Sequence, residues 1–317
     1  MHTRRPLLAG ALLLTALFSL TTQAEETLRI GYQKSSTLLT LIKQRGDLDK
    51  TLADQGIKVS WHEFSSGLPL LEALNLNNVD LSADVADTVP VFAQAAGADL
   101  TYYARETPSP TAQAILVPAD SPIKSLQDLK GKKIAVTKAA GSHYLLIAAL
   151  HKAGLTFSDV NAAWLTPADG RAALENGSVD AWVSWEPFVT SAQVEQHARV
   201  LVNGKGLASY QRYYLVSTPY AKAHAQVLNT VFNALNQEAA WVKAHPAAAA
   251  KILSPLWGNL PVATVEQANA QRSYQVEPVK RSDLAEQQKI ADAFYAAKLL
   301  PKRIDAQDVG TWQPETP

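Results

Sequence analysis

Ala73-Leu-Asn-Leu-Asn-Asn-Val-Asp80 and Ala173-Leu-Glu-Asn-Gly-Ser-Val-Asp180 stand one hundred positions apart and share Ala, Leu, Val and Asp in register. Each closes a helical pattern, makes a short polar turn and enters an apolar run with Val-Asp. Working outward, the order of elements repeats as well. Residues 28–32 read as a strand, 33–37 as a small polar turn, and Leu38, Leu41 and Ile42 open a helical pattern. A strand over 59–64, a helix over 68–76, a strand over 79–83 and a helix over 88–96 follow, with Pro90 near the last helix's start, where proline is tolerated. The second copy runs through a strand at 133–137, a polar turn at 138–142 and a helix at 143–153 closed by Gly154. It ends with a strand at 160–165, a helix at 167–176 and a strand at 179–184. Strands alternating with helices predict α/β layers, and their repetition predicts two related lobes. After Tyr213-Tyr-Leu-Val216 the chain turns alanine-rich. Helices are expected over 226–245, 246–256 and 284–297, packed back on the first lobe, with an irregular tail over 298–312.

Two mostly parallel sheets would face each other with their strand C-termini at a shared crevice. Ligands bind at such crevices because the following helices aim free N–H groups there. The turns at 33–37 and 138–142 are two of these strand-to-helix connections.

The bulk properties narrow the function. Of 317 residues, 29 are basic and 29 acidic, which gives no electrostatic footprint for nucleic acid or an anionic membrane. The absence of cysteine excludes disulfides, thiolate metal sites and cysteine nucleophiles. Arg4 and Arg5 precede an apolar run over 7–20, and Thr22-Gln-Ala24 offers a small–x–small cleavage site. This is the pattern of a secretory signal peptide over residues 1–24, cleaved after Ala24, so the expected location is the periplasm. Cleavage leaves 27 basic against 29 acidic residues. No nucleophile elbow, His-Glu-x-x-His or phosphate-binding loop is present, and the seven histidines are scattered without metal spacing. A binding protein rather than an enzyme is expected, with no cofactor or metal.

Six segments carry a family resemblance. They are Leu28-Arg-Ile-Gly-Tyr-Gln-Lys34, Pro90-Val-Phe-Ala-Gln-Ala-Ala-Gly-Ala-Asp-Leu100, Ser121-Pro-Ile-Lys-Ser-Leu-Gln-Asp-Leu-Lys-Gly-Lys-Lys-Ile-Ala-Val136, Gly141-Ser-His143, Leu165-Thr-Pro-Ala-Asp169 and Val179-Asp-Ala-Trp-Val-Ser-Trp-Glu-Pro187. Lys-Gly-Lys-Lys alone is weak; the ordered set resembles the aliphatic sulfonate-binding proteins of ABC importers, kin of the taurine and nitrate types. The resemblance implies a type II periplasmic-binding-protein fold with a two-strand hinge. Lobe one would span 25–114 plus 218–317, and lobe two 115–217. It also implies capture of an organosulfur anion for sulfur acquisition and a membrane permease as partner; a monomer is the default expectation. Sulfate esters, taurine, nitrate or a thiamine precursor remain as other ligands, and a thiamine-pyrimidine synthase on the same fold as the enzyme rival. The chain departs from the resemblance at residues 82–88. There Asp84 and Asp87 stand in an expected crevice loop, where they would repel an anion or meet an amine or hydroxyl.

A sulfonate spreads one charge over three oxygens, so backbone N–H groups and hydroxyls suffice to hold it. Ala140, Gly141, Ser142 and His143 fit that need, although Ser142 also reads as a plain helix cap. Gln33, Ser35 and Ser36 occupy the matching turn of lobe one, with a solvated turn as the alternative. Ser66 and Gly67 form a third small-residue turn. Asp87 and Thr88 precede a helix, Thr88 as donor and Asp87 as donor partner or cap. Trp185 would wall the organic part of the ligand, and Glu186 would order donors or cap a helix. Arg212 is the cationic candidate. Asp80 and Asp180, being repeat-related, read as structural, and Trp182 as core.

Overall fold

The computed structural model describes residues 26–315; the signal-peptide expectation over 1–24 lies outside them. The chain first lays down β1 (Glu26–Gln33), β2 (Ile57–Phe64), β3 (Leu81–Ala86) and β4 (Leu100–Glu106). It then crosses into a second sheet through β5 (Gln113–Val117), β6 (Lys133–Val136), β7 (Asn161–Trp164), β8 (Ala181–Trp185) and β9 (Arg199–Asn203). It returns with β10 (Arg212–Ser217) and adds the short β11 (Val276–Pro278) and β12 (Gly310–Thr311).

The first sheet has the order β11-β4-β10-β3-β1-β2, with β12 beside β4, and the second β7-β6-β8-β5-β9. Without the two short strands the orders are the same. In each lobe two parallel pairs are followed by one antiparallel strand inserted from the other half of the chain. β10 lies between β3 and β4, and β5 between β8 and β9. The sequence reading counted residues 212–217 with lobe two, whereas their pairing puts them in the first sheet. Likewise, residues 82–86 are not a loop but part of β3, a strand buried along its whole length.

The hundred-residue repeat is visible atom by atom. Asn78 N–H donates to the Ala73 carbonyl, and Ser178 N–H to the Ala173 carbonyl, both at 2.9 Å. The Asp80 carboxylate accepts from Arg29 N–H at 2.8 Å, and the Asp180 carboxylate from Lys133 N–H at 2.7 Å. Each aspartate therefore clamps its own strand to the neighbouring parallel strand. The helices Gly67–Asn75 and Pro167–Glu175, and likewise Thr88–Ala95 and Phe188–Glu195, also lie one hundred positions apart.

The helices Ala225–Ala244 and Pro246–Leu256 pack on the first sheet, where Leu228, Val231, Leu235 and Leu253 join Leu38, Leu41, Tyr103 and Tyr214 in one core. Helix Leu284–Ala296 does not stay with the first lobe alone. Its Phe294 packs edge-on against Phe92 of lobe one at 4.9 Å and against His143 of lobe two at 4.7 Å. Both lobes thus touch across the crevice and along one flank.

Candidate functional site

The crevice lies where β1, β2, β3, β6 and β8 end. Gln33, Ser66, Gly67, Leu68, Ala86 and Val89 line it from the first lobe; Thr137, Lys138, Ala140, Gly141 and Trp185 line it from the second; Tyr210 and Arg212 arrive on the return connection. The lobes are in contact around it, and the cavity between them measures about 20 Å³, roughly the space of one or two water molecules. Two hydrogen bonds cross directly. Trp185 Nε1 donates to Ser35 Oγ at 3.2 Å, and the Thr88 hydroxyl donates to the Ala139 carbonyl.

Glycine at two positions lets the walls approach. A Cβ on Gly67 would come within 2.9 Å of Val89. A Cβ on Gly141 would lie 2.5 Å from the Tyr210 ring and 3.1 Å from the Ala86 Cβ, so only glycine fits between the lobes there. Ala139 and Tyr210 both hold left-handed backbone, φ 62° and 52°. That is a costly conformation for residues bearing a Cβ, and it persists only where the surroundings impose it.

Two helices start at the crevice, Gly67–Asn75 and Gly141–Lys152. Neither has a side-chain cap bond, and neither carries an acidic residue in its first turn. First-turn N–H groups lack intrahelical partners, and the helix dipole adds partial positive charge, so this is the arrangement an anion requires.

Of the two cationic side chains in the wall, Lys138 and Arg212, the second is tied into a buried cluster. Arg212 Nε donates to Asp84 Oδ2 at 2.6 Å and Nη1 to the Tyr210 hydroxyl at 2.9 Å. Arg272 donates to the same Asp84 oxygen at 3.1 Å and to Glu106 at 2.6 Å. Two guanidinium groups face two carboxylates, all nearly or wholly inaccessible, so the cluster is close to neutral. Asp84 neither repels an anion in the crevice nor waits for an amine. It orients Arg212 through its carboxylate and Gln33 through its carbonyl, which accepts from Gln33 Nε2 at 2.7 Å.

The sequence candidates divide accordingly. Gln33, Ser66, Gly67, Ala140, Gly141, Trp185 and Arg212 meet in the wall. Ser35 sits just behind it as the acceptor for Trp185, and Ser36 closes the 33–36 turn by accepting from Gln33 N–H. Ser142 is fully buried, its hydroxyl without a hydrogen-bond partner among the described residues. His143 departs most from expectation. Its ring is turned off the crevice into an aromatic nest of Phe157, Trp164 and Phe294. Burial, with Lys138 nearby, pushes it down to about 3, so it stays neutral. Asp87 is buried behind the wall, accepting from Gln211 N–H at 3.0 Å, and burial pushes it up to about 7. Glu186 caps the next helix, accepting from Thr190 N–H at 3.0 Å and from its hydroxyl at 2.8 Å; burial raises it to about 7. Tyr210, Thr137 and Lys138 were missed. Lys138 and Thr137 stood in or beside a turn already singled out, but Tyr210 had no local signal.

The comparisons with known proteins agree in kind. Residues 52–249 match the family model described as NMT1/THI5 like. A relative in Escherichia coli (strain K12) that is named for binding aliphatic sulfonates is 39% identical over 308 residues, 97% of this chain and 95% of its own length. The crystal structure of the periplasmic aliphatic sulphonate binding protein SsuA from Escherichia coli superposes with a TM-score of 0.82 at 40% identity, over 92% of this chain and 93% of that one. The alkanesulfonate-binding protein SsuA from Xanthomonas axonopodis pv. citri, bound to MOPS, also gives 0.82, at 41% identity over 88% and 95% of the two chains.

Proposed function

The chain belongs to the NMT1/THI5-like family, among its aliphatic sulfonate-binding proteins, and on that premise we propose that it is the periplasmic solute-binding component of an ABC importer for sulfonates. It captures the anion between two lobes and catalyses nothing. The observation that supports this most directly is the pair of helix starts, at Gly67 and Gly141, that face each other across one crevice without a first-turn carboxylate. A carboxylate there would occupy the free N–H groups and repel the ligand; its absence on both sides leaves them for an anion. Gln33, Arg212, Trp185 and the Tyr210 hydroxyl supply the remaining polar contacts. The buried cluster around Arg212 is near neutral, which suits a single charge spread over three oxygens.

On this reading the lobe bounds of 25–114 plus 218–317 and 115–217 are amended at both crossings: residues 113–114 go to lobe two because β5 lies within its sheet, and residues 210–217 go to lobe one because β10 lies within its sheet and Tyr210 packs with Val85, Val89 and Tyr213. The chain is exported by cleavage after Ala24. Ligand bridging stabilises the closed arrangement by its differential affinity, and the closed form is what a membrane permease recognises. Calorimetric titration of the chain from Glu25 onward with alkanesulfonates, taurine, sulfate and nitrate tests the reading. One-to-one binding of an alkanesulfonate, tighter than sulfate or nitrate, is expected; absence of heat with every sulfonate removes it.

A further inference from the structure

We infer that the apolar groove on the flank of the molecule, where helix Gly141–Lys152 of lobe two runs beside helix Leu284–Ala296 of lobe one, binds a single-chain amphiphile with an anionic head, a medium-chain fatty acid in class, and that the bound molecule favours closure of the lobes. The site is independent of the sulfonate reading; its effect on closure rests on that reading. The groove measures about 720 Å³ and shares no lining residue with the crevice. That volume falls within the range of small-molecule sites, about 300–1,000 Å³. One wall is a face of helix Gly141–Lys152, where Tyr144, Ile147, Ala148 and His151 recur at helical spacing, continued by Leu155 and Phe157. The opposite wall is Ala293, Ala296 and Ala297, which belong to the other lobe.

Helix Gly141–Lys152 carries more apolar surface than its sheet can cover. Leu145, Leu146, Ala149 and Leu150 already fill its buried side. A surface helix ordinarily turns polar residues outward, yet Tyr144, Ile147 and Ala148 form a second apolar stripe that is only half-buried. Facing it stand alanines, too short to close the gap. The floor is the flank contact already described: Tyr144 tilts over Phe294 at 6.3 Å, and Ile147 packs on the same cluster. Charge around the rim is one-sided. No acidic residue lines the groove, while His151 and Lys152 do, and the exposed Lys205 and Lys298 adjoin Gly206 and Ala297 in the chain. Lys152 is exposed and has no ion-pair partner among the described residues. Glu286, whose charge reaches Tyr144, is paired with Lys289 at 2.6 Å. In a chain whose basic and acidic residues balance at 29 each, an apolar trough with a free cation at its rim matches an apolar tail that ends in an anion. Such a molecule touches both lobes while they are in contact. It therefore favours that arrangement, and its coupling to the crevice ligand is reciprocal.

Calorimetry with dodecanoate, below its micelle concentration, tests the site on the parent chain from Glu25 onward, on Lys152→Gln, and on Ala148→Glu and Ala296→Glu, which place a carboxylate in the groove from opposite lobes. One-to-one binding to the parent is expected. Each groove variant should weaken it by at least about tenfold, because the apolar tail loses its place. Lys152→Gln should weaken it by about two- to fivefold, and dodecyltrimethylammonium should bind the parent at least about fivefold more weakly than dodecanoate. Saturating dodecanoate should tighten ethanesulfonate by about threefold or more, and saturating ethanesulfonate should tighten dodecanoate by the same factor. No heat with dodecanoate, or equal binding by the parent and both groove variants, overturns the inference and leaves the sulfonate reading standing. So does weaker ethanesulfonate binding in the presence of dodecanoate, which would place the amphiphile in the crevice. Equal affinity for the cationic amphiphile overturns the anionic head, and unchanged ethanesulfonate affinity overturns the effect on closure. If ethanesulfonate binds in neither condition, the sulfonate reading and the coupling fall together, while loss of dodecanoate binding in the two groove variants still upholds the site.

Discussion

Replacing Gly141 by alanine isolates what lobe contact contributes to binding. The added Cβ would lie 2.5 and 2.7 Å from two carbons of the Tyr210 ring and 3.1 Å from the Ala86 Cβ, where ordinary contacts are about 3.5–4.0 Å. Neither neighbour retreats freely. Tyr210 is buried, its hydroxyl is held by Arg212 at 2.9 Å and its backbone is left-handed; Ala86 ends a fully buried strand. The relief available is to move the second lobe away from the first by about 1 Å. Within its own helix the change is benign, since alanine is the better helix former. The cost, about 1–3 kcal/mol for overpacking, therefore falls on closure and lowers sulfonate affinity by about 5- to 150-fold. Calorimetric titration measures it directly, and small-angle scattering of the liganded variant should show a larger radius than the parent at saturation. An affinity within twofold of the parent, with an unchanged radius, would refute the argument that Gly141 sets the closing distance.

Two further outcomes follow from the buried groups. Asp87 is raised to about 7 by burial, so between about pH 4 and 7 the folded chain holds a proton that the unfolded chain has released. Its contribution to stability is therefore full below that window and is lost as pH rises through 7. Asp87→Asn cannot ionise and can still accept from Gln211 N–H, so it should gain on the parent by about 2–4 kcal/mol between pH 5 and 8 in urea unfolding; an equal difference at both pH values contradicts this. Asp84→Asn leaves Arg212 and Arg272 facing Glu106 alone and should cost about 3–5 kcal/mol. Adding Arg212→Met restores the charge balance and should recover a large part of the loss, and a urea midpoint for Asp84→Asn equal to the parent's would show that the cluster is not what holds the residues in place.

Local signals carried the repeat and failed at contacts between distant segments. Asp80 and Asp180 were legible as structural because each serves its own half, through bonds to neighbouring strands in the same pattern. β4 was harder to see, because Arg105 and Glu106 at its end look like solvated charges. Their partners, Glu277, Asp283 and Arg272, lie more than 160 residues downstream. The same remoteness hid the role of Asp84. From sequence it was an acidic departure in a crevice loop; in space it is a strand residue between two arginines. His143 failed for another reason. Its position at a helix start was right, but successive helix residues point about 100° apart, so adjacency to Gly141 gave no assurance that its ring faced the crevice.

The exchange of β5 and β10 between the sheets explains how a buried guanidinium reaches the crevice from the side of lobe one. Both crossing strands begin near it, Arg212 opposite Ala86 and Gln113 opposite Trp185. Thus the connection returning to lobe one delivers a guanidinium to the wall, while Gln113, on the connection entering lobe two, is buried outside it. Lobe one has two carboxylates and a second arginine to hold that charge in place without an excess. Lobe two has the start of helix Gly141–Lys152 and, at the mouth, Lys138. An anion on lobe one alone would meet Arg212 already occupied by Asp84, and gain little. Only when Gly141 reaches Tyr210 does the second set of N–H donors arrive. On the proposed function, the division of charge between the lobes is therefore what couples anion binding to closure, since neither wall alone supplies the full set of donors.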